Sequence, residues 1–207
     1  MDRAQALSRA REVLDQEIAA LETAREALGE EFVAVALLLG QCPGMVWTTG
    51  VGTSACVAQR FAHILNCCGC RAMFLGPCDG LHGHAGVFRP GDVLVALSRG
   101  GESAEVNKLV ELAKANGVTA VAFVHDTTSS LARVCDHVLP IRSEQDYELQ
   151  RVIATTSTVV FSAVCDALAA VVWELTGYTL EAFARTHPGG AVGKLLCGDM
   201  REEGGKA

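Results

Sequence analysis

Apolar residues at positions 7, 10, 14, 18, 21 and 28 recur at steps of three, four and seven, so residues 2–28 predict an amphipathic helix that Gly29 ends or bends. Residues 32–39 are apolar nearly all round and predict a second, buried helix, broken at Gln41, Cys42, Pro43 and Gly44. Beyond this break, short aliphatic runs alternate with helical patterns. Strands are predicted over 45–49, 71–75, 92–97, 118–124 and 137–141. Helices are predicted over 54–67, 104–116, 129–135, 153–176 and 180–185, with Gly117 closing the second of these. Strand and helix in strict alternation imply an α/β fold, with a parallel sheet, right-handed crossovers and helices on both faces. Ligands of such sheets sit beyond the carboxyl ends of the strands, at the topological switch point. Two glycine-rich turns fall at that edge.

The chain has 207 residues, half of them hydrophobic, which suits one well-filled core and one main domain. No internal repeat, linker or low-complexity tract divides it. Residues 1–31 are set apart as an N-terminal packing or oligomerisation segment, 32–200 as the main domain, and 202–207 as a frayed end. A net charge of −7 without a basic run argues against nucleic acid and anionic membrane surfaces, so an anion must be held locally. The charged first twenty residues do not read as a signal peptide, and no apolar run is expected to reach the roughly 18 residues that span a bilayer. Nine cysteines are scattered through apolar stretches, apart from Cys67, Cys68 and Cys70. They read as reduced thiols of a cytoplasmic protein.

Candidate chemistry gathers at three places. Gly50-Val51-Gly52-Thr53-Ser54 and Ser98-Arg99-Gly100-Gly101-Glu102-Ser103 each join a strand to a helix start. Glycines allow close approach of backbone to an oxygen-rich group, and the first-turn amides and dipole of each helix favour an anion. Gly50-x-Gly52 lacks the third glycine of a dinucleotide loop, since Ala55 stands in its place, and no acidic residue ends the second strand. Thr155-Thr156-Ser157-Thr158 opens the long helix, where four hydroxyls can cap it or close over a phosphate.

Taken together, these segments resemble the sugar isomerase (SIS) domain, in its arabinose-5-phosphate isomerase branch without CBS modules. The resemblance covers roughly residues 32–196. It rests on Gly50-Val51-Gly52-Thr53-Ser54, on His82-Gly83-His84-Ala85-Gly86, and on Leu97-Ser98-Arg99-Gly100-Gly101-Glu102-Ser103. It rests further on Thr155-Thr156-Ser157-Thr158 with Asp166 beyond, and on Thr186-His187-Pro188-Gly189-Gly190-Ala191-Val192-Gly193. It implies a five-stranded, doubly wound αβα sandwich of flavodoxin-like type, a homodimer or homotetramer with sites shared between subunits, and aldose–ketose isomerisation of a sugar phosphate through an enediol. No cofactor or metal is required. Glu102 and His187 match residues of the family's turns, and His82 matches the histidine of its His-Gly loop. A further glutamate precedes the family's hydroxyl-rich turn; Glu148, Glu144 and Asp146 are candidates in that order. The implied phosphate set is Gly52, Thr53, Ser54, Ser98, Arg99, Gly100, Gly101, Ser103, Thr155, Thr156, Ser157 and Thr158. His63 and His125 read as structural, and the His82–His84 pair as too few ligands for a metal site. Two departures matter. Thr53 stands where the isomerases carry Lys, and Gly100 replaces a serine with Arg99 beside it. Arg99 can supply the missing charge from another direction. A non-catalytic sugar-phosphate sensor and a hexulose-phosphate isomerase are the alternative readings.

Overall fold

The computed structural model describes residues 1–144, 147–189 and Gly193. Two helices lead, α1 (Arg3–Glu26) and α2 (Glu30–Gly40). There follow β1 (Val46–Gly50), α3 (Thr53–Cys67), β2 (Ala72–Phe74), α4 (Pro77–Leu81), a 3-10 turn (His84–Val87), β3 (Val93–Leu97) and α5 (Ala104–Ala115). The chain continues with β4 (Thr119–Val124), α6 (Ser130–Val134), β5 (His137–Pro140), α7 (Thr156–Thr176) and α8 (Leu180–Thr186).

All strand pairs are parallel, in the order β2-β1-β3-β4-β5. The order reverses between β1 and β3, whose ends meet at the pair Gly50 and Leu97. Alternate side chains feed two cores, as the two-residue period of a strand requires. Val46, Val95, Leu97 and Phe123 pack with α1, α2, α3 and α7. Trp47, Leu94, Ala96 and Ala122 pack with α5 and α6. The three-layer α/β sandwich expected from the alternation is the observed one. At the amino edge, buried Asp92 ties β1 to β3 by accepting hydrogen bonds from the Met45 N–H (2.8 Å), the Trp47 Nε1–H (3.0 Å) and the Arg89 N–H (3.1 Å).

Three expectations need correction. Helix α2 is not buried all round: Val35, Ala36 and Leu39 face the core, while Val33 and Leu37 stand on the outer side. A core-facing helix needs only one apolar stripe, so the rest of its apolar surface is left over. The long helix begins at Thr156 rather than at position 153, because Ile153 is drawn into a bridge with Leu149. And one apolar run does reach spanning length. Helix α7, with 21 residues, is long and apolar enough to cross a membrane. In this fold it packs against α1, α2 and α3, with Val160, Phe161, Val164, Leu168 and Val172 buried, as a central helix of a layered core does. Helix α4 and the 3-10 turn after it are absent from the sequence prediction, since neither is long enough to show a period.

Candidate functional site

The switch point is built from three helix starts. Gly50 lets β1 turn beneath β3: a Cβ there would come within 3.0 Å of the Leu97 carbonyl oxygen. Gly52 has open space around it and is needed for its backbone, at φ +56°. Helix α3 then begins without a side-chain cap, so its dipole and first-turn amides face outward. The second turn is folded on itself. The Gly101 N–H donates to Ser98 Oγ at 3.2 Å, and Ser98 Oγ lies 3.5 Å from Ser103 Oγ. The third start is that of α7, and here Glu148 takes the capping place. Its carboxylate accepts from the Thr155 N–H (2.6 Å), the Thr155 hydroxyl (3.4 Å) and the Ser157 N–H (3.1 Å). Its side chain is 2% exposed and pairs with Arg99, Nε to Oε1, at 3.6 Å.

Between these starts lies a small cleft of about 30 Å³, lined by Thr53, Ser54, Val57, Arg99, Ala154, Ser157, Thr158 and Phe161. Room for about two water-sized oxygens suits the outer atoms of a phosphoryl group and leaves a sugar outside. Five of the sequence-predicted phosphate residues therefore converge: Thr53, Ser54, Arg99, Ser157 and Thr158. Gly52, Ser98, Gly100, Gly101, Ser103 and Thr155 stand behind them as turn and cap. Thr156 faces the opposite way, its hydroxyl donating to the Tyr147 carbonyl at 2.8 Å. Sequence reasoning missed Val57, Ala154 and Phe161. Spacing could have found two of them, because Thr53 and Val57 are one turn apart, and Ser157, Thr158 and Phe161 lie on one helical stripe; Ala154 precedes α7.

The acidic and imidazole candidates separate. Glu102 turns away from the cleft: its Oε1 accepts the Ser130 N–H at 2.8 Å, at the start of α6. The Ser130 hydroxyl and amide hold its carboxyl below the ordinary carboxylate value. Glu144 is exposed, and Asp146 lies outside the described residues, as do Gly190, Ala191, Val192 and 194–207. His82 ends α4 and His84 opens the 3-10 turn, both exposed and neither lining the cleft. Among the described residues, no three His, Cys, Asp or Glu side chains gather as a metal site would require. His125 Nδ1 accepts the Ser143 N–H at 3.2 Å, a supporting role.

His187 sits at the far end of α3. Its ring stacks on Phe183 with centroids 3.8 Å apart, and its Nε2 is 3.7 Å from Cys67 Sγ. Nδ1 lies 3.1 Å from the Phe183 carbonyl oxygen. Cys67 is the last residue of the 15-residue α3. At about 1.5 Å per residue, that end is roughly 20 Å from the cleft. Within one chain His187 cannot reach it.

A model of the SIS domain matches residues 41–171. Arabinose 5-phosphate isomerase KdsD of Pseudomonas aeruginosa is 33% identical over 86% of this chain and 54% of its own length. Arabinose 5-phosphate isomerase GutQ of Salmonella typhi is 31% identical over 94% of this chain and 60% of its own. The chain thus spans a little over half the length of these curated relatives. An Escherichia coli CFT073 protein solved in complex with arabinose 5-phosphate superimposes with a TM-score of 0.86 at 26% identity, covering 91% of this chain and all of that one.

Proposed function

We propose that this chain, which belongs to the SIS domain family, is a cofactor-independent sugar-phosphate isomerase, with arabinose 5-phosphate the first substrate to test. One observation carries the reading: a buried carboxylate, Glu148, stands beside a cleft on which two helix starts and the turn bearing Arg99 converge. The cleft holds the phosphoryl group on the α3 N-terminus, Ser54, Ser157, Thr158 and Arg99. Glu148 takes the proton from C2 of the aldose, giving the enediol, and returns it to C1. The hydroxyl proton passes from O2 to O1, and this transfer, like ring opening, falls to an imidazole. His187 fills that role from a neighbouring subunit, so we read the protein as a homodimer or homotetramer, with residues 1–31 serving assembly. The named activity of the curated relatives supports the chemistry, and the sugar phosphate bound in the Escherichia coli structure supports the ligand class. We place the protein in a reducing, cytoplasmic setting on the scattered spacing of its cysteines.

Turnover on a panel of aldose and ketose phosphates tests this, together with deuterium uptake from solvent at C1 and C2. Glu148→Gln and His187→Ala are expected to lower kcat by about 10²- to 10⁴-fold, and Glu102→Gln to leave it within a few-fold. A wild-type chain that neither converts nor exchanges any of them is no isomerase. Tight binding without exchange would make it a sensor.

A further inference from the structure

Glu148 occupies the place an incoming anion would seek. It sits on the α7 N-terminus, accepting the Thr155 and Ser157 amides, and it holds Arg99 at 3.6 Å. Arg99 is the one charged side chain among the described residues lining the cleft. It is anchored from behind: its Nε donates to Ser143 Oγ at 3.3 Å and its Nη2 to the Ser143 carbonyl at 3.2 Å. The guanidinium thus stands at a fixed point with Glu148 on one side and the cleft on the other, and it remains 26% exposed. A planar guanidinium binds phosphate as readily as carboxylate. One cation between two anion positions cannot serve both at full strength.

We propose that Arg99 changes partner during binding: the phosphoryl group draws the guanidinium off Glu148, and the carboxylate, still held by the Thr155 and Ser157 amides, loses the cation that opposes its taking the substrate's proton. The assignment of Glu148 as base rests on the isomerase reading; the exchange of anions does not. Glu148 is then a resident competitor of the phosphate, which keeps the carboxylate occupied until an anion of the right kind arrives. The binding free energy of the non-reacting phosphoryl end is in this way spent on arming the reacting one.

The two partners must then act in opposite directions on binding of inorganic phosphate, titrated calorimetrically into the full-length chain. Glu148→Gln removes the competitor and is expected to tighten binding about 10-fold, while Arg99→Ala weakens it by about 10-fold or more. Thr53 lines the same cleft, so Thr53→Lys in the Arg99→Ala background restores phosphate binding. In turnover that double variant recovers kcat as well as KM, because Glu148 then has no cation left to lose. If Glu148→Gln weakens phosphate binding or leaves it unchanged, the pair is a plain structural ion pair and the exchange is refuted. The same follows if Thr53→Lys restores KM while kcat stays low, since the loss of Arg99 would then have done more than free Glu148. Opposite shifts in phosphate affinity without turnover of any sugar phosphate would uphold the exchange and sink the isomerase. Turnover with no response of phosphate binding to either variant would do the reverse.

Discussion

Glu102 and Glu148 both put a carboxylate on the N-terminal end of a helix, and their surroundings divide their work. Glu102 lies in solvent over α6, where the Ser130 hydroxyl and amide hold its carboxyl below the usual glutamate range. A carboxylate with a depressed pKa stabilises the fold above its ordinary titration and loses that contribution as pH falls through the lowered value. Glu102→Gln should therefore flatten the acid limb of a stability-against-pH curve measured by thermal melting, and leave stability at pH 7 slightly reduced. A variant whose acid limb matches the wild type would show that this contact is absent in solution. Glu148 is enclosed, with a cation at 3.6 Å, and only it adjoins the cleft. The sequence could nominate both residues but could not rank them. The register before α7 is illegible in the sequence because the chain turns there through Gln150 and Arg151, both at positive φ (54° and 61°). Gln and Arg carry no signature for that conformation.

At the level of the elements, the alternation of aliphatic strands with periodic helices is enough to predict all five strands to within about two residues, a good margin for such boundaries. What it cannot show is which side of a helix start faces inward. Thr156 and Ser157 are neighbours in one hydroxyl run, yet one bonds the Tyr147 carbonyl and the other lines the cleft. The turn between β3 and α5 depends on Gly101, at φ +67°, where a Cβ would run into the Ser129 side chain. Gly101→Ala should displace this turn and cost about 1–3 kcal/mol, read as a lowered Tm together with weaker phosphate binding. Unchanged phosphate affinity would mean that the turn's shape does not matter to the cleft. In the layer behind it, Leu168 is fully buried on α7, and Leu168→Ala should cost about 2–5 kcal/mol in a denaturant titration without altering the pH dependence of turnover. A smaller loss would indicate that the layer collapses around the gap.

For the molecule as a whole, the surplus is apolar. Leu7, Leu14 and Ile18 form a stripe on α1 and are 53%, 57% and 56% exposed in the single chain. Val33 and Leu37 add to it from α2. Such a stripe is expected to be covered by another copy. Leu14→Glu with Ile18→Glu should shift light scattering toward the monomer and abolish turnover, while circular dichroism stays native. A folded monomer of full activity would dispose of a site shared between subunits. That sharing is implied by resemblance alone at the level of sequence; in the structure α3 begins at the cleft and ends at the thiol beside His187, which is why we propose that the histidine serves a neighbour's cleft. One rod thus holds the two halves of the proposed chemistry apart. Its genetic corollary is complementation. Two dead proteins, one Glu148→Gln and the other His187→Ala, should revive each other when co-expressed. If subunits pair at random in a two-fold dimer, half the dimers are mixed, and each mixed dimer has one intact centre, so about a quarter of normal activity should return.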